Sequence, residues 1–280
     1  MTEAGGSRGS GRRGDPPPPP EPLPVAVWDS HCHLDIMGTP VEEVLAAGRT
    51  VGVERVVTIG IDLTSSRFAA EVAAAHPDVL AAVALHPNEA GAGAATPEAL
   101  DEIARLAALP QVVAVGETGL DHYRTEGDEG RRAQEESFRR HIAIAKETNC
   151  ALVIHDRDAH DDVLRVLAEE GAPERTVFHC FSGDAAMARV CADRGYVMSF
   201  AGNVTFKNAD GLREAAAVAP RDLLLVETDA PFLTPMPHRG APNAPYLVPL
   251  TLRALAQVRG EDVAVLAGAV AETSRRVFGA

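Results

Sequence analysis

Eight short apolar runs, alternating with segments of helical periodicity, restrict the fold of this 280-residue chain more than any other feature of its sequence. Most of the runs are continuous in Val, Leu, Ile and Ala, as in parallel strands that are covered on both faces. Eight strand–helix repeats favour a closed (β/α)8 TIM barrel over an open doubly wound sheet. The predicted strands are Val25–Asp29, Arg55–Ile61, Leu80–Leu85, Val112–Glu117, Ala151–His155, Thr176–His179, Tyr196–Phe200 and Leu223–Glu227.

The sequence divides into a short extension and one domain. Residues 1–24 consist mainly of Gly, Ser, Arg and Pro, with five consecutive prolines at positions 16–20. Such a segment has too few apolar groups to offset the entropy lost on ordering. We therefore predict a disordered extension over residues 1–24 and a single barrel domain over residues 25–280, near the roughly 250 residues typical of a TIM barrel.

Composition restricts the location and the partners of the protein. Four cysteines without a C-x-x-C pair favour a reducing compartment, so we expect a cytoplasmic protein. No apolar stretch reaches the ~20 residues of a membrane-spanning helix. The net charge of −14 argues against binding of long duplex nucleic acid, but a small anionic group could still be held at metal ions. The oligomeric state is open, and we expect a monomer.

Polar side chains capable of binding metal occur along the chain in a definite order. The first two form a His-x-His pair that follows a predicted strand, and each of the others stands at or just past a strand end. Because TIM barrels collect their catalytic groups at the C-terminal ends of the strands, we expect these side chains to converge. Together they predict a dinuclear metal site formed by His31, His33, Glu117, His155, His179 and Asp229.

The residue types suit different tasks at such a site. His31 and His33 point the same way if the strand continues, whereas Cys32 points to the opposite face. Glu117 could bridge two cations, and Asp229 could both ligate a metal and accept the proton of the attacking water. Each residue taken singly also has a structural interpretation, such as a helix cap for Glu117 or a hydrogen-bonded core histidine.

The motifs around these residues resemble those of TatD-like metal-dependent deoxyribonucleases, which belong to the amidohydrolase-type barrels. The resemblance spans residues 25–280 and implies a TIM barrel with two divalent metals. It also implies phosphodiester hydrolysis, commonly by 3′-to-5′ removal of nucleotides from DNA. The segments that carry it are Asp29–Asp35, Leu85–Pro87, Gly116–Asp121, His155, His179–Gly183 and Glu227–Leu233.

The same resemblance assigns the ligands to two ions. It implies that His31, His33 and Asp229 hold one ion and that His155 and His179 hold the other. Glu117 would bridge the two, so Asp229 and Glu117 are the expected catalytic residues. The metals could be Mg, Mn or Zn, because imidazoles favour Zn or Mn while the resemblance implies Mg.

Substrate contacts are expected from a second set of residues. By resemblance His86 could face the scissile phosphate, and a structural hydrogen bond is the alternative. An acidic chain also needs local cations near an anionic substrate. The candidate residues lie in loops after strands and are Arg124, Arg157, Lys207 and Arg239. Of these, Arg239 belongs to a Pro-His-Arg-Gly segment that matches the family.

Two departures from the family pattern affect the cleft. His122 stands where the family usually has tyrosine, and we interpret it as an exposed loop residue. The segment after Asn243 lacks the glutamate that commonly follows the asparagine. The expected substrate is a nucleic acid, namely short or single-stranded DNA or strand ends. The alternatives are lactone, amide or phosphotriester hydrolysis, deamination, or a catalytically silent binding protein.

Overall fold

Eight parallel strands form one sheet, in chain order, in the computed structural model, which describes residues 14–279. Every neighbouring pair of strands is parallel, as a repeated strand–helix sequence requires. The strands are β1 (Val27–Cys32), β2 (Val53–Ile59), β3 (Val79–Val83), β4 (Val112–Asp121), β5 (Ala151–Arg157), β6 (Thr176–Phe178), β7 (Val197–Phe200) and β8 (Leu224–Val226).

The first and last strands meet and make the sheet a barrel. An isolated parallel bridge joins Cys32 to Ala230. The N–H of His33 donates to the carbonyl of Ala230 at 2.8 Å, and the N–H of Asp229 donates to the carbonyl of His31 at 2.9 Å. These bonds fix two predicted ligand segments, one near each end of the chain, against each other.

Helices cover the outside of the barrel. Thr96 begins one of them as predicted, because its hydroxyl accepts the N–H of Ala99 at 3.3 Å and Pro97 follows. Within residues 14–279, the helices lack the length and apolar character that a membrane span requires. The α-helices are α1 (Leu34–Met37), α2 (Val41–Thr50), α3 (Leu63–Ala75), α4 (Pro87–Gly91), α5 (Pro97–Ala107), α6 (Asp128–Thr148), α7 (His160–Glu170), α8 (Ala185–Asp193), α9 (Asp210–Val218), α10 (Val248–Arg259) and α11 (Val263–Phe278), and short 3-10 helices lie at Gly202–Thr205, Arg221–Leu223 and Pro245–Leu247.

Alternate strand residues supply two apolar clusters. In β2, Val57 and Ile59 belong to the smaller cluster, which lies inside the barrel. Val56 belongs to the larger cluster, which lies between the strands and the helices. Both faces of the strands are therefore buried, which explains why the sequence shows continuous rather than alternating apolar runs. The rigid barrel holds the strand ends in place.

All eight predicted strands are present, with different ends. The largest difference is β4, which continues past Glu117 to Asp121 because Gly119 and Leu120 pair with β5, which itself continues past His155 to Arg157. Glu117 and His155 therefore lie within strands rather than at their last residues. Side chains within a strand are held more firmly than side chains in a loop.

The structure differs from the predicted disordered extension over its last residues. Leu23 is buried and its N–H donates to the carbonyl of Val51 at 3.0 Å. The hydroxyl of Tyr246 donates to the carbonyl of Pro17 at 2.7 Å. Prolines lose little backbone freedom on ordering, so a few contacts suffice to hold this segment. The rest of the predicted extension, residues 1–13, lies outside the described residues.

Candidate metal centre

Five histidines and two carboxylates converge at the C-terminal ends of the strands. They lie at the base of a cleft of about 630 Å³, and most of them line it. His31 lies deeper and is fully buried. All six predicted ligands are in this cluster, together with one histidine that was predicted to contact substrate: His31, His33, His86, Glu117, His155, His179 and Asp229.

One group of potential ligands lies where β1 meets β8. The Nε2 atoms of His31 and His33 lie 3.8 Å and 3.5 Å from Oδ1 of Asp229. Both histidines approach Asp229 although β1 ends at Cys32, and Cys32 between them packs in the apolar core. This group can bind one cation through two imidazoles and a carboxylate.

The carboxylate of Glu117 occupies the middle of the cluster. Its Oε2 lies 3.5 Å from Nε2 of His31 and 4.0 Å from Nε2 of His33. Its Oε1 lies 2.6 Å from Nδ1 of His155 and 3.0 Å from Nε2 of His179. One oxygen thus faces each set of imidazoles, which is the arrangement of a carboxylate between two metal positions.

The surroundings of the His31 ring indicate whether these residues fit a metal. Both ring nitrogens are buried and have no hydrogen-bond partner among residues 14–279, and the ring stacks on that of His179 with centroids 3.8 Å apart. Leaving a buried polar atom unpaired costs about 1–3 kcal/mol. A cation beside Nε2 would remove this cost at that nitrogen, and imidazole with carboxylate oxygen is a ligand set that suits divalent metals. The residues therefore fit a divalent metal.

Two buried acids orient the imidazoles from outside the ligand groups. Nδ1 of His179 lies 3.1 Å from Oε1 of Glu227, which also accepts the N–H of Cys180 at 2.9 Å. Nε2 of His155 lies 3.3 Å from Oδ2 of Asp121. Carboxylates that bind the second ring nitrogen commonly fix the orientation of metal-binding histidines. Sequence reasoning gave neither acid a role, although both lie in the matching motifs.

His86 differs from the other histidines in its hydrogen bonding. Its Nδ1 accepts the N–H of Asn88 at 3.0 Å, and burial lowers the pKa of the ring. The neutral ring therefore carries its proton on Nε2, which lies 3.3 Å from Oε1 of Glu117. A protonated nitrogen cannot bind a metal, so His86 is a hydrogen-bond donor beside the ligands although its position would permit ligation.

Charges inside the cluster compensate one another. Burial raises the pKa of Glu117, but His179 and the hydrogen bonds from His155 and His179 outweigh burial and hold that pKa well below its usual value. Burial lowers the pKa of His179, yet Glu117 and Glu227 raise it well above the ordinary value for histidine. The pKa of His33 is also raised, because Asp229 outweighs burial. The carboxylate of Glu117 is thus ionised and available to a cation.

Asp29 holds the ligand segments of β1 and β8 together. Its carboxyl group accepts the N–H of His31 at 3.3 Å, and from Thr228 it accepts both the N–H at 2.9 Å and the hydroxyl at 2.5 Å. Burial raises the pKa of Asp29 to about 8, although the bonds from Thr228 oppose that rise. This side chain acts on the position of the ligands rather than on a substrate.

The predicted cationic contacts divide into two pairs. Arg124 and Arg157 line the cleft. Among the residues that the structure describes, Lys207 and Arg239 are not part of its lining, and the guanidinium of Arg239 instead lies 4.3 Å from the ring centroid of Phe206. The pattern around Arg239 gave no indication of this stacking, because it depends on a distant segment.

His122 differs from the exposed loop residue that was predicted. Its Nδ1 lies 3.9 Å from Oδ2 of Asp162, and its N–H donates to the carbonyl of Arg157 at 2.9 Å. The residue is half-buried because β4 and β5 extend farther than expected, so the loop begins later.

Comparison with known proteins agrees with this geometry. Residues 28–279 match the family model described as TatD related DNase. A metal-dependent hydrolase named TatD from Mycobacterium tuberculosis is 47% identical over 261 residues, which cover 90% of this chain and 97% of that protein. The hydrolase YabD from Bacillus subtilis is 38% identical, with 90% and 98% covered. The crystal structure of YJJV, a TatD homologue from Escherichia coli, superposes with a TM-score of 0.83 at 26% identity, covering 91% of this chain and 98% of that one. The chain therefore belongs to the TatD family of metal-dependent hydrolases.

Proposed function

We propose that this hydrolase cleaves phosphodiester bonds in DNA, as a 3′-to-5′ exonuclease that acts on single strands or strand ends. The observation that carries the proposal is the central carboxylate of Glu117, which faces a set of imidazoles with each of its oxygens. Pairs of metals in this arrangement suit in-line displacement at phosphorus, because they stabilise both the attacking and the leaving oxygen. The description of the matching family as a DNase supports the same reaction.

The proposal includes two divalent cations, Mg, Mn or Zn. His31, His33 and Asp229 would hold one, and His155 with His179 would hold the other, with Glu117 shared between them. When bound, the cations would lower the pKa of a water molecule and neutralise charge on the phosphate oxygens. Geometry and metal availability decide among the three elements.

The side chains supply proton transfer and positioning. Asp229 is 15% exposed and lines the cleft, so its carboxylate can accept the proton of an attacking water. The Nε2–H of His86, held in place by the bond between Nδ1 and Asn88, can donate to a phosphate oxygen next to Glu117. Burial keeps that ring neutral, so Nε2–H can donate a hydrogen bond without adding a positive charge to the site.

The distribution of charge supports a short, flexible substrate. The chain carries a net charge of −14, yet Arg124 and Arg157 line the cleft. Binding of a long duplex draws on many phosphate contacts, whereas a strand end needs only the few next to the reacting bond. This balance favours ends and single strands over extended duplex DNA.

Activity on end-blocked oligonucleotides tests the proposal. Purified, metal-loaded protein is incubated with short single-stranded DNA and RNA whose 3′ or 5′ end is blocked, with and without a chelator, and its metal content is measured in parallel. We expect chelator-sensitive release of nucleotides from DNA, and a 3′ block should prevent it. If the protein leaves DNA and RNA intact but opens lactones or amides, the chain performs another amidohydrolase-type reaction.

A further inference from the structure

Two exposed aromatic side chains flank the metal centre. Phe232, in the loop after β8, is 52% exposed, and Tyr123, in the loop after β4, is 63% exposed. The strands follow one another in chain order around a closed barrel, so these two loops stand on opposite sides of its mouth. Large exposed aromatic surfaces beside a functional cleft are typical of ligand contacts.

Phe232 adjoins the first ligand group. Its ring meets that of His33 edge-to-face, with centroids 6.0 Å apart, and it lines the cleft. Its backbone is fixed at both ends, because its N–H donates to the carbonyl of Asp229 at 2.8 Å and its carbonyl accepts the side-chain amide of Asn243. The ring thus offers a free face from a fixed position.

The opposite side of the mouth carries a stacked pair. The guanidinium of Arg157 lies 3.9 Å from the ring centroid of Tyr123, and Arg157 lines the cleft. A guanidinium stacked in this way can bind a phosphate through its edge or a base through its face. Aromatic surface and positive charge therefore occur together on this side, a combination found where proteins bind single-stranded nucleic acid.

We propose that unpaired bases of the substrate stack on Phe232 on one side of the metal centre and on the Arg157–Tyr123 pair on the other. The phosphodiester between the stacked nucleotides then crosses the base of the cleft. This inference rests on the proposed nuclease function and specifies its substrate as a strand with unpaired bases, because a base inside a duplex has no free face. Recognition by stacking tolerates any base sequence.

The first experiment is a comparison of base-bearing and abasic substrates. Steady-state kinetics are measured on a single-stranded oligonucleotide and on the same oligonucleotide with abasic residues at its reactive end. We expect Phe232→Ala to lower kcat/KM about ten-fold on the base-bearing strand and to leave the abasic strand unchanged. Phe232→Trp should restore the rate. Leu109→Ala, which removes a comparably exposed side chain before β4 and so at the opposite end of the barrel, should change neither.

The second experiment detects stacking by fluorescence. The metal-loaded protein is mixed with an oligonucleotide that carries 2-aminopurine at the reactive end and phosphorothioate linkages that slow hydrolysis. We expect quenching with the wild type, loss of quenching with Phe232→Ala and its return with Phe232→Trp. When the 2-aminopurine is placed one nucleotide farther from the reactive end, Tyr123→Ala should likewise cause loss of quenching.

The outcomes separate the two proposals. If the wild type hydrolyses none of the oligonucleotides, the nuclease function is wrong. If it hydrolyses them but Phe232→Ala loses equal activity on base-bearing and abasic strands, or keeps full quenching, the stacking inference is overturned while the nuclease function stands. Metal content and circular dichroism of each variant confirm that the fold and the ligands are intact.

Discussion

Nδ1 of His179 lies 3.1 Å from Oε1 of Glu227, a carboxylate that is fully buried and belongs to none of the ligand groups. This contact fixes the ring so that Nε2 faces Glu117 at 3.0 Å. It also increases the basicity of the ring nitrogen that would bind a metal. Glu227 therefore controls a ligand without being one.

We predict that removal of Glu227 weakens metal binding. Glu227→Ala should raise the metal dissociation constant about 10- to 100-fold, because the ring of His179 loses its orientation and its negative partner. Glu227→Gln, which keeps a hydrogen-bond acceptor but loses the charge, should have a smaller effect. Titration against a chelating dye measures both. Glu71→Gln, at an exposed position, is the control, and equal affinity in all variants would contradict the assignment.

We predict that Asp229→Asn largely abolishes turnover while the fold is preserved. The amide has the same shape but cannot accept the proton of an attacking water, and loss of such a general base costs about 10²- to 10⁴-fold. Phosphodiester hydrolysis and thermal unfolding are measured on the same preparation. Asp193→Asn, an exposed change, should behave as the wild type. Near-normal turnover would remove Asp229 from the mechanism.

We predict that His86 and His155 respond differently to substitution. His86→Asn keeps an acceptor for the N–H of Asn88, so the loop and the metal content should be unchanged while kcat/KM falls about 10-fold or more. His155→Ala should lose metal as well as activity. Elemental analysis of both proteins after dialysis gives the answer. Loss of metal from His86→Asn to the same degree would make His86 a ligand.

We predict that His141 makes the protein sensitive to acid. Its Nε2 accepts the N–H of Leu85 at 3.1 Å and its Nδ1 faces the carbonyl of Ser137 at 2.7 Å, so the folded protein requires the neutral ring. Burial lowers the pKa of His141 from 6.5 to about 4, with Arg140 acting in the same direction. Between these values the unfolded chain binds a proton that the folded chain does not, so stability falls as the pH falls.

The expected effect is about 3 kcal/mol of unfolding free energy between neutral pH and pH 4. Urea denaturation at several pH values measures it. His141→Gln should be less stable at neutral pH but should show a smaller decline toward acid. The difference between the two proteins isolates this residue from the other buried histidines. An identical pH dependence for both would show that His141 does not titrate as described.

The strands could be predicted from sequence because each one is buried on both faces and must be apolar throughout. The positions of His31, His33 and Asp229 could be predicted for a related reason, since a barrel brings the C-terminal ends of its strands together. The C-terminal end of β4 could not, because its extension to Asp121 depends on pairing with β5.

Other properties of the site depend on contacts that no local pattern records. The protonation of His86 follows from one backbone N–H, that of Asn88. The sequence alone could not tell whether Glu227 binds a metal or supports a ligand, because it is a carboxylate only two positions before Asp229. Arg239 matched a family motif, yet the side chain lies on Phe206. The carbonyl of Pro17 is held by a hydrogen bond from Tyr246, a residue far along the chain.

The seam between β1 and β8 has a consequence for the order of events in biosynthesis. Asp29 and Thr228, which are bonded across it, are 199 positions apart in the chain. A nascent chain presents His31 and His33 early but has no Asp229 until all eight strands have been synthesised. We therefore expect the complete site to capture metal only after β8 and the segment that follows it have been added, so the metal supply acts on a chain that contains all eight strands rather than on early folding intermediates.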